Sequence, residues 1–214
     1  MNKTKCIKIA LILLIPFISI IAIIEFRHMI MPTNKEIIKN IILNKGYKTL
    51  AEVSVCNELQ NQNEDVKLYY KRNVGHRIDF INLNISKIYS ENNIEVKENE
   101  YVYSIDREKN DIYAFLFVEK LLQKDVEYIK EKSEEWGDIK YIEIMVNIDS
   151  DNSNFSKAKV YINKKERKPI VTKIYDKEGK ERIIIVYKKF SYSKKINSKQ
   201  FKYDKDGASN MAPV

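Results

Sequence analysis

The sequence of 214 residues contains few of the residues that mark metal, disulfide and phosphate sites. Its two cysteines, Cys6 and Cys56, stand far apart in the chain and exclude a disulfide framework. The two histidines, His28 and His76, belong to no HExxH motif, and no CxxC spacing occurs, so we expect no metal site. Five glycines are too few for a phosphate-cradling loop. These shortages argue against common metalloenzymes and nucleotide-binding proteins.

Residues for nucleophilic or acid–base catalysis are also scarce. After the N-terminal segment the only histidine is His76, whose neighbour Gly75 indicates a strand residue beside a turn. Cys56 is predicted to be a packed small hydrophobic residue. The carboxylates that could form an acid–base pair, although no spacing selects them, are Glu134, Glu135, Asp138 and Glu143. We therefore expect no enzyme, no catalytic residue and no cofactor.

One long apolar run is present near the N-terminus. No charge interrupts the chain from Ile9 to Ile24, and lysines precede the run. This pattern is typical of a signal peptide or a signal anchor. Cleavage requires small residues directly after the run, and the chain has none there. We predict an uncleaved membrane span with its ends at Ile9 and Ile24, and the rest of the chain outside the cell membrane.

The remaining chain has the periodicity of a β-rich domain. Thr33 and Glu36 form a capping box, which predicts a short amphipathic helix. From Tyr47 onward apolar residues recur at every second position, which predicts successive strands. The alternation slips directly after Phe80, where we expect a bulge or a tight turn.

Two stretches depart from this alternation. Residues 112–122 are apolar on nearly every side and predict a buried helix on the sheet, and the more polar residues 126–133 predict a second helix. The fold class is α+β, a large curved antiparallel sheet of about nine to eleven strands with two or three helices on one face. The predicted parts are a cytoplasmic stub and anchor at 1–31, the outer domain at 32–192 and a polar, disordered tail at 193–214.

Tyrosine is abundant, with fourteen residues. The tyrosines on predicted strands among lysines are Tyr69, Tyr70, Tyr101, Tyr103, Tyr161, Tyr175 and Tyr187. Such a surface can bind a protein or a glycan, but tyrosine is also simply a good strand former. The net charge of +8 leaves open a basic face for anionic lipid or teichoic acid. Nucleic acid is not expected as a partner outside the membrane.

Three features of the C-terminal half resemble a known family. They are the A-x-V-Y-I strand from Ala158 to Ile162, Pro169 at the start of the next strand, and the I-Y-D-x-x-G hairpin from Ile174 to Gly179. The chain, from the capped helix at Thr33 onward, resembles the GerS-type germination lipoproteins of spore-forming bacteria. The resemblance implies a fold similar to the LolA and LolB lipoprotein carriers, with helices across the open face of a curved sheet.

The resemblance also implies a function. GerS-type proteins bind and activate a zinc-dependent cell-wall amidase, so the expected partner is such an amidase or another envelope protein. The chain has no lipid-accepting cysteine after its apolar run, so a helix would replace the lipid anchor in the cell membrane or forespore envelope. The alternative is a LolA-like carrier that holds a lipid or an acyl chain in an apolar cleft. Exposed edge strands leave a homodimer open.

Overall fold

The computed structural model describes most of the chain. The described residues are 14–24, 26–27, 31–56, 61–90, 93–106, 112–133, 139–150 and 152–203. The chain divides into two units, Met1–Ile37 and Ile38–Val214.

The first unit contains helix α1, which comprises the described residues 14–24 with exposed side chains. The predicted membrane span begins at Ile9, and its residues 9–13 lie outside the described part of the chain. None of the helices in the described ranges is both long enough and apolar enough to cross a membrane. The span from Ile9 to Ile24 stays a prediction.

Helix α2 (Asn34–Ile42) begins at the predicted capping box. The Glu36 carboxylate accepts a hydrogen bond from the Thr33 backbone N–H at 2.7 Å, and Thr33 Oγ1 accepts one from the Glu36 N–H at 3.3 Å. These bonds satisfy donors that a helix leaves unpaired in its first turn. The predicted start of this helix is confirmed.

The second unit consists mainly of one antiparallel sheet, to which the described residues contribute twelve strands. The strands are β1 (Gly46–Cys56), β2 (Asn61–Lys71), β3 (Gly75–Phe80), β4 (Ile85–Tyr89), β5 (Asn93–Glu98), β6 (Tyr101–Asp106), β7 (Asp125–Ser133), β8 (Lys140–Asn147), β9 (Lys157–Asn163), β10 (Lys168–Tyr175), β11 (Glu181–Tyr187) and β12 (Ser191–Tyr192). The same unit contains the 3-10 helices η1 (Ile112–Leu116) and η2 (Ser198–Phe201) and the helix α3 (Val118–Leu122).

The strand order places the first strand, β1, in the middle of the sheet. The order is β6-β5-β4-β3-β2-β1-β11-β10-β9-β8-β7, and β12 also pairs with β1. From β1 to β6 each strand pairs with the one before it, as predicted for a meander. The chain then passes through η1 and α3 to the opposite edge, and β7 to β11 lead back to the centre. The η1–α3 connection therefore joins the two edge strands.

Alternating side chains give the sheet two faces. The inner face includes Tyr47 of β1 and Tyr187 of β11, whose hydroxyls donate to Glu119 and to the Leu116 carbonyl in the η1–α3 connection. Buried apolar side chains of this face include Ala51, Val53, Val66, Leu68, Ile78, Phe80, Ile142, Ile144, Val146, Val160, Ile162, Ile174, Ile183 and Ile185. The hydrophobic core of the unit lies between this face and the connection.

Two predicted irregularities are confirmed. The phase slip after Phe80 corresponds to a turn at residues 81–84 between β3 and β4. The apolar residues 112–122 do form a buried helical connection, although its first turn is 3-10 (η1) and only its second part is α-helical (α3). Its position on the sheet follows the prediction, because so apolar a segment must be covered on most sides.

The second predicted helix, at residues 126–133, was wrong, because this stretch forms the edge strand β7. A bulge between Val126 and Tyr128 interrupts the alternation that identifies a strand in sequence. The strand is also largely exposed and charged, as at Lys130, which protects an edge from unwanted pairing. With β7 and the short β12, the described sheet exceeds the predicted nine to eleven strands.

The tail predicted from residue 193 was wrong for its first part. Residues 193–203 lie on the outer face of β2 to β4, where Ile196 and Phe201 are buried against Ile88. The Lys71 ammonium donates to the Ile196 carbonyl at 2.8 Å. The sequence does not reveal this contact because the few apolar residues of the segment follow no strand or helix period. The rest of the predicted tail, residues 204–214, lies outside the described residues.

At Gly46 three backbone segments lie close together, namely those that contain Gly46, Tyr70 and Ser193. A Cβ atom at this position would lie 2.7 Å from the Tyr70 carbonyl oxygen and 3.0 Å from the Ser193 carbonyl oxygen. We expect Gly46→Ala to lower the free energy of unfolding by about 1–3 kcal/mol, because backbone atoms cannot move aside cheaply. Chemical denaturation followed by circular dichroism measures this loss.

Gly179→Ala is the comparison for Gly46→Ala. Gly179 has φ +81° but no atom within 4 Å of an added Cβ, so only backbone strain opposes its substitution, at about 1–2 kcal/mol. If Gly46→Ala leaves the stability unchanged, the three segments are not packed as described.

Candidate functional site

The inner face is filled by the protein's own side chains. The buried residues of the connection are Leu116, Phe117, Val118, Leu121 and Leu122, all at most 3% exposed. The Phe117 ring lies 4.5 Å from the His76 ring and 6.2 Å from the Tyr89 ring, measured between centroids. These contacts fix the connection to the sheet by packing as well as by chain continuity.

A buried polar network holds α3 against the sheet. Tyr47 Oη donates to Glu119 Oε2 at 2.6 Å, and His76 Nε2 lies 2.7 Å from Glu119 Oε1. Glu119 is only 1% exposed. Burial first, and then the Glu119 carboxylate, raises the pKa of Tyr47 well above its ordinary value, so the phenol stays protonated and donates. The carboxylate therefore anchors α3 to β1 and β3.

A cleft of about 650 Å³ opens beside this network. Arg72 lies on its rim and donates from Nη2 to the Ile42 carbonyl at 2.5 Å. Lys120 also lines the cleft, and its ammonium lies 5.9 Å from the centre of the Tyr89 ring. The lining of the cleft thus combines the cationic Arg72 and Lys120 with the buried Glu119 carboxylate, which is already hydrogen-bonded. Among the described residues no group of three or more His, Cys, Asp and Glu side chains could hold a metal ion.

The outer face of β7 to β10 carries a second candidate site, which we call the tyrosine–lysine surface. Its members are Tyr128, Lys130, Tyr141, Lys159, Tyr161, Lys173 and Tyr175. The Tyr141 and Tyr161 rings are 5.7 Å apart. The Lys130 ammonium lies 4.4 Å from the Tyr128 ring centre, and the Lys159 ammonium lies 5.4 Å from that of Tyr175. Ammonium groups therefore lie against aromatic rings on this surface.

A small pocket of about 210 Å³ lies within this surface. Tyr141 and Tyr161 line it together with Ile170, Val171 and Lys173. Two consecutive apolar residues of β10 can line one pocket because the pairing with β9 shifts register between Pro169 and Val171. A bulge of this kind re-aims side chains and leaves a local depression in a sheet.

Glu143 is buried beneath the tyrosine–lysine surface. Its carboxylate accepts from Tyr128 Oη at 2.9 Å and from Lys132 Nζ at 3.0 Å. Burial alone would raise the pKa of Glu143, but the hydrogen bonds from Lys132 and Tyr128 and the nearby lysine charges hold it below its ordinary value. Burial and the bond to Glu143 raise the pKa of Tyr128 to about 12. The surface is thus organised around an ionised carboxylate.

Glu143→Gln tests this organisation through its pH dependence. A lowered folded-state pKa stabilises the fold above the unfolded-state pKa of about 4.3, and the contribution disappears as pH falls through the folded-state value. We expect the variant to lose about 1–2 kcal/mol at pH 7 and progressively less below pH 4. Denaturant midpoints measured from pH 3 to 7 give the difference.

Glu127→Gln is the matched control on the neighbouring strand. Glu127 pairs with Lys157 at 2.7 Å, but both side chains are more than 40% exposed, so a loss below about 1 kcal/mol is expected. Equal losses for the two variants at every pH would contradict a special role for Glu143.

The tyrosines that were predicted to lie on strands among lysines do not form one surface. Tyr161 and Tyr175 lie on the tyrosine–lysine surface, whereas Tyr70 and Tyr187 are buried on the inner face. Tyr69 packs beside the C-terminal segment. Tyr101 and Tyr103 lie on the edge strand β6.

The other candidate residues from the sequence are a histidine, a cysteine and four carboxylates, and the structure places them as follows. His76 is a strand residue next to a turn, as predicted, but its contact with Glu119 was not foreseen. Cys56 is a half-buried free cysteine of β1. Glu143 lies beneath the tyrosine–lysine surface, and the other predicted carboxylates, Glu134, Glu135 and Asp138, lie outside the described residues. Tyr128 was missed because its strand was predicted to be a helix.

A family model decides where this chain belongs. The model for YdcC-like sporulation proteins matches residues 7–201, which include both candidate sites. The chain belongs to the YdcC-like sporulation protein family. The resemblance to a family of spore-forming bacteria, predicted from the sequence, is confirmed at this level. No curated protein sequence matches the chain significantly.

Solved structures are similar to this YdcC-like protein over most of their length. An uncharacterized conserved protein from Thermus thermophilus has 12% identity and a TM-score of 0.53, with 81% of this chain and 96% of that chain covered. This likeness shows a shared fold. A chain of the Clostridioides difficile complex between the CwlD amidase and the GerS lipoprotein has 26% identity and a TM-score of 0.46, with coverage of 75% and 96%. A LolA superfamily protein from Nitrosomonas europaea has 9% identity and a TM-score of 0.45, with coverage of 80% and 98%.

Proposed function

We propose that this YdcC-like protein is a non-catalytic accessory protein that binds a cell-wall enzyme, an amidase in the first instance, during sporulation or germination. The observation that carries the proposal is the filled inner face. Phe117 and its buried neighbours pack against this face, which leaves little room there for the acyl chain of a carrier. Binding by exposed sheet surface agrees better with this packing than binding in an apolar cavity.

The chemistry of the described surface supports the same function. Tyrosines of the tyrosine–lysine surface offer large, rigid contact areas with polar ends, and such residues are enriched where proteins bind one another. Membership of a sporulation family and the sequence resemblance to GerS-type proteins support an amidase as the partner. An uncleaved N-terminal span from Ile9 to Ile24 would hold the domain at the outer side of the cell membrane.

The carrier alternative rests on one observation. The cleft beside His76 has a volume of about 650 Å³, and its lining combines the apolar Leu43 and Val74 with Arg72 and Lys120. Such a site suits a small ligand that has an anionic head group. A carrier of this kind would bind lipid at the end of the inner face and not along it.

Affinity purification of the full-length tagged protein from sporulating cells tests both functions. The eluate is divided for protein mass spectrometry and for lipid extraction, and the purified partner is then assayed for wall hydrolysis with and without this protein. A recovered amidase whose activity rises on addition, without bound lipid, supports the accessory role. Stoichiometric lipid without a protein partner supports the carrier. The native mass of the purified protein tests the homodimer separately.

A further inference from the structure

The tyrosine–lysine surface has an excess of positive charge at its exposed positions. Lys130 and Lys159 lie over tyrosine rings, and Lys173 pairs with Glu181 at 2.8 Å. The carboxylate closest to the middle of the surface, Glu143, is only 4% exposed and is already bonded to Lys132 and Tyr128. A partner therefore meets ammonium groups and phenols, whereas the Glu143 carboxylate lies beneath them, bonded to Lys132 and Tyr128.

The pocket in this surface has the size of one side chain. Its volume of about 210 Å³ is below the range of about 300–1,000 Å³ that is usual for small-molecule sites. It is lined by Tyr141 and Tyr161, by the apolar Ile170 and Val171, and by Lys173, whose ammonium pairs with Glu181. Pockets of this composition accept the anchoring side chain of a protein partner at the centre of an interface.

We infer that the pocket of Tyr141, Tyr161, Ile170, Val171 and Lys173 is the docking point for a protein segment that presents an apolar anchor side chain next to a carboxylate. The inference rests on the proposed accessory function and adds the place and the chemistry of the contact. The apolar walls take the anchor. The ammonium groups of Lys159, over the Tyr175 ring, and of Lys173, which also pairs with Glu181, attract the acidic neighbour by charge complementarity.

Site-specific photo-crosslinking tests the location. A photoreactive phenylalanine analogue replaces Val186, which pairs with Val171 across the strands and is 38% exposed on the outer face. The matched control position is Val74, which lines the inner cleft and is 42% exposed. Both full-length proteins are irradiated in sporulating cells, and the adducts are sequenced by mass spectrometry.

The expected result is a protein adduct from position 186 whose linked segment has an apolar residue within a few positions of Asp or Glu. A protein adduct from position 74 alone would overturn the docking point and leave the accessory function standing. A lipid or glycan adduct at position 186, or a linked segment without an acidic residue, would overturn the inferred chemistry. No protein adduct from either position would count against the accessory function itself.

Second-site variants show whether the pocket residues drive the contact. Tyr161→Ala and Lys173→Glu should each reduce the adduct from position 186 roughly tenfold or more, which is the effect expected for a central anchor contact. The matched controls are Tyr101→Ala, at an exposed tyrosine of β6, and Lys97→Glu, at an exposed lysine of β5. Thermal unfolding of each variant confirms that it is folded. Equal adduct yields for pocket and control variants would overturn the inference.

Discussion

Replacing Phe117 with alanine is expected to lower the free energy of unfolding by about 3–5 kcal/mol. The Phe117 side chain is fully buried, and its ring packs against the rings of His76 and Tyr89. Its removal leaves a cavity between α3 and the inner face, because neighbours on a hydrogen-bonded sheet can move only slightly to fill it. Guanidinium unfolding followed by circular dichroism measures the loss.

Phe115→Ala is the matched control in the same connection. Phe115 is half-buried, and its ring lies 5.4 Å from that of Phe155. A clearly smaller loss is expected, since the truncated side chain leaves space that water already reaches. Similar losses for both variants would mean that the inner face is not centred on Phe117.

The Phe117→Ala variant also tests, by ligand binding, whether the inner face is filled. An apolar cavity made by truncation stays dry and accepts small apolar molecules. We expect Phe117→Ala to bind benzene, which the wild-type protein does not bind. Strong benzene binding by the wild-type protein, with no increase in the variant, would indicate an existing apolar cavity and favour the carrier.

Removing the Glu119 carboxylate has the second largest expected effect, with Glu119→Ala losing about 2–4 kcal/mol at pH 7. The substitution removes the acceptor of the buried Tyr47 hydroxyl and the carboxylate that contacts His76 Nε2. Polar groups that lose their partners in a core cost their full desolvation energy. Glu178→Ala, at an exposed glutamate in the β10–β11 turn, should stay within about 0.5 kcal/mol of wild type.

A double-mutant cycle separates the hydrogen bond from the other effects of losing Glu119. Tyr47→Phe keeps the aromatic packing against Phe190 at 4.6 Å and removes only the hydroxyl. We expect about 1–3 kcal/mol for this variant alone and a clearly non-additive result together with Glu119→Ala. Additive losses would show that Tyr47 and Glu119 do not act as one network.

Features that depend on neighbouring residues can be predicted from this sequence, and features that depend on distant residues cannot. The capping box at Thr33, the alternation in β8 and the turn after Phe80 depend on neighbouring residues, and each was predicted correctly. Strand β7 was missed because a bulge and exposed charges remove the alternation. Edge strands are weakly patterned since only part of their surface is buried.

The candidate sites depended on pairings that no local pattern contains. Glu119 meets His76 and Tyr47 over sequence separations of 43 and 72 residues, so the network exists only once α3 lies across the sheet. The pocket at Lys173 needs the register of β8, β9 and β10 together with the shift next to Pro169. The alternation of residues predicts that Tyr161 and Tyr175 lie on strands, but it does not show that they are on the outer face whereas Tyr187 is buried.

Local patterns therefore determined most strands, the capped helix and the buried connection. Burial on one side imposes a repeat of two residues on a strand, the capping box marks the start of the helix, and the connection is apolar on nearly every side. Which strand lies beside which, and hence that β11 pairs with β1 and that β7 ends the sheet, was decided only by the tertiary structure. Strand order arises from backbone hydrogen bonds that every residue can make, so the sequence of side chains records it only weakly.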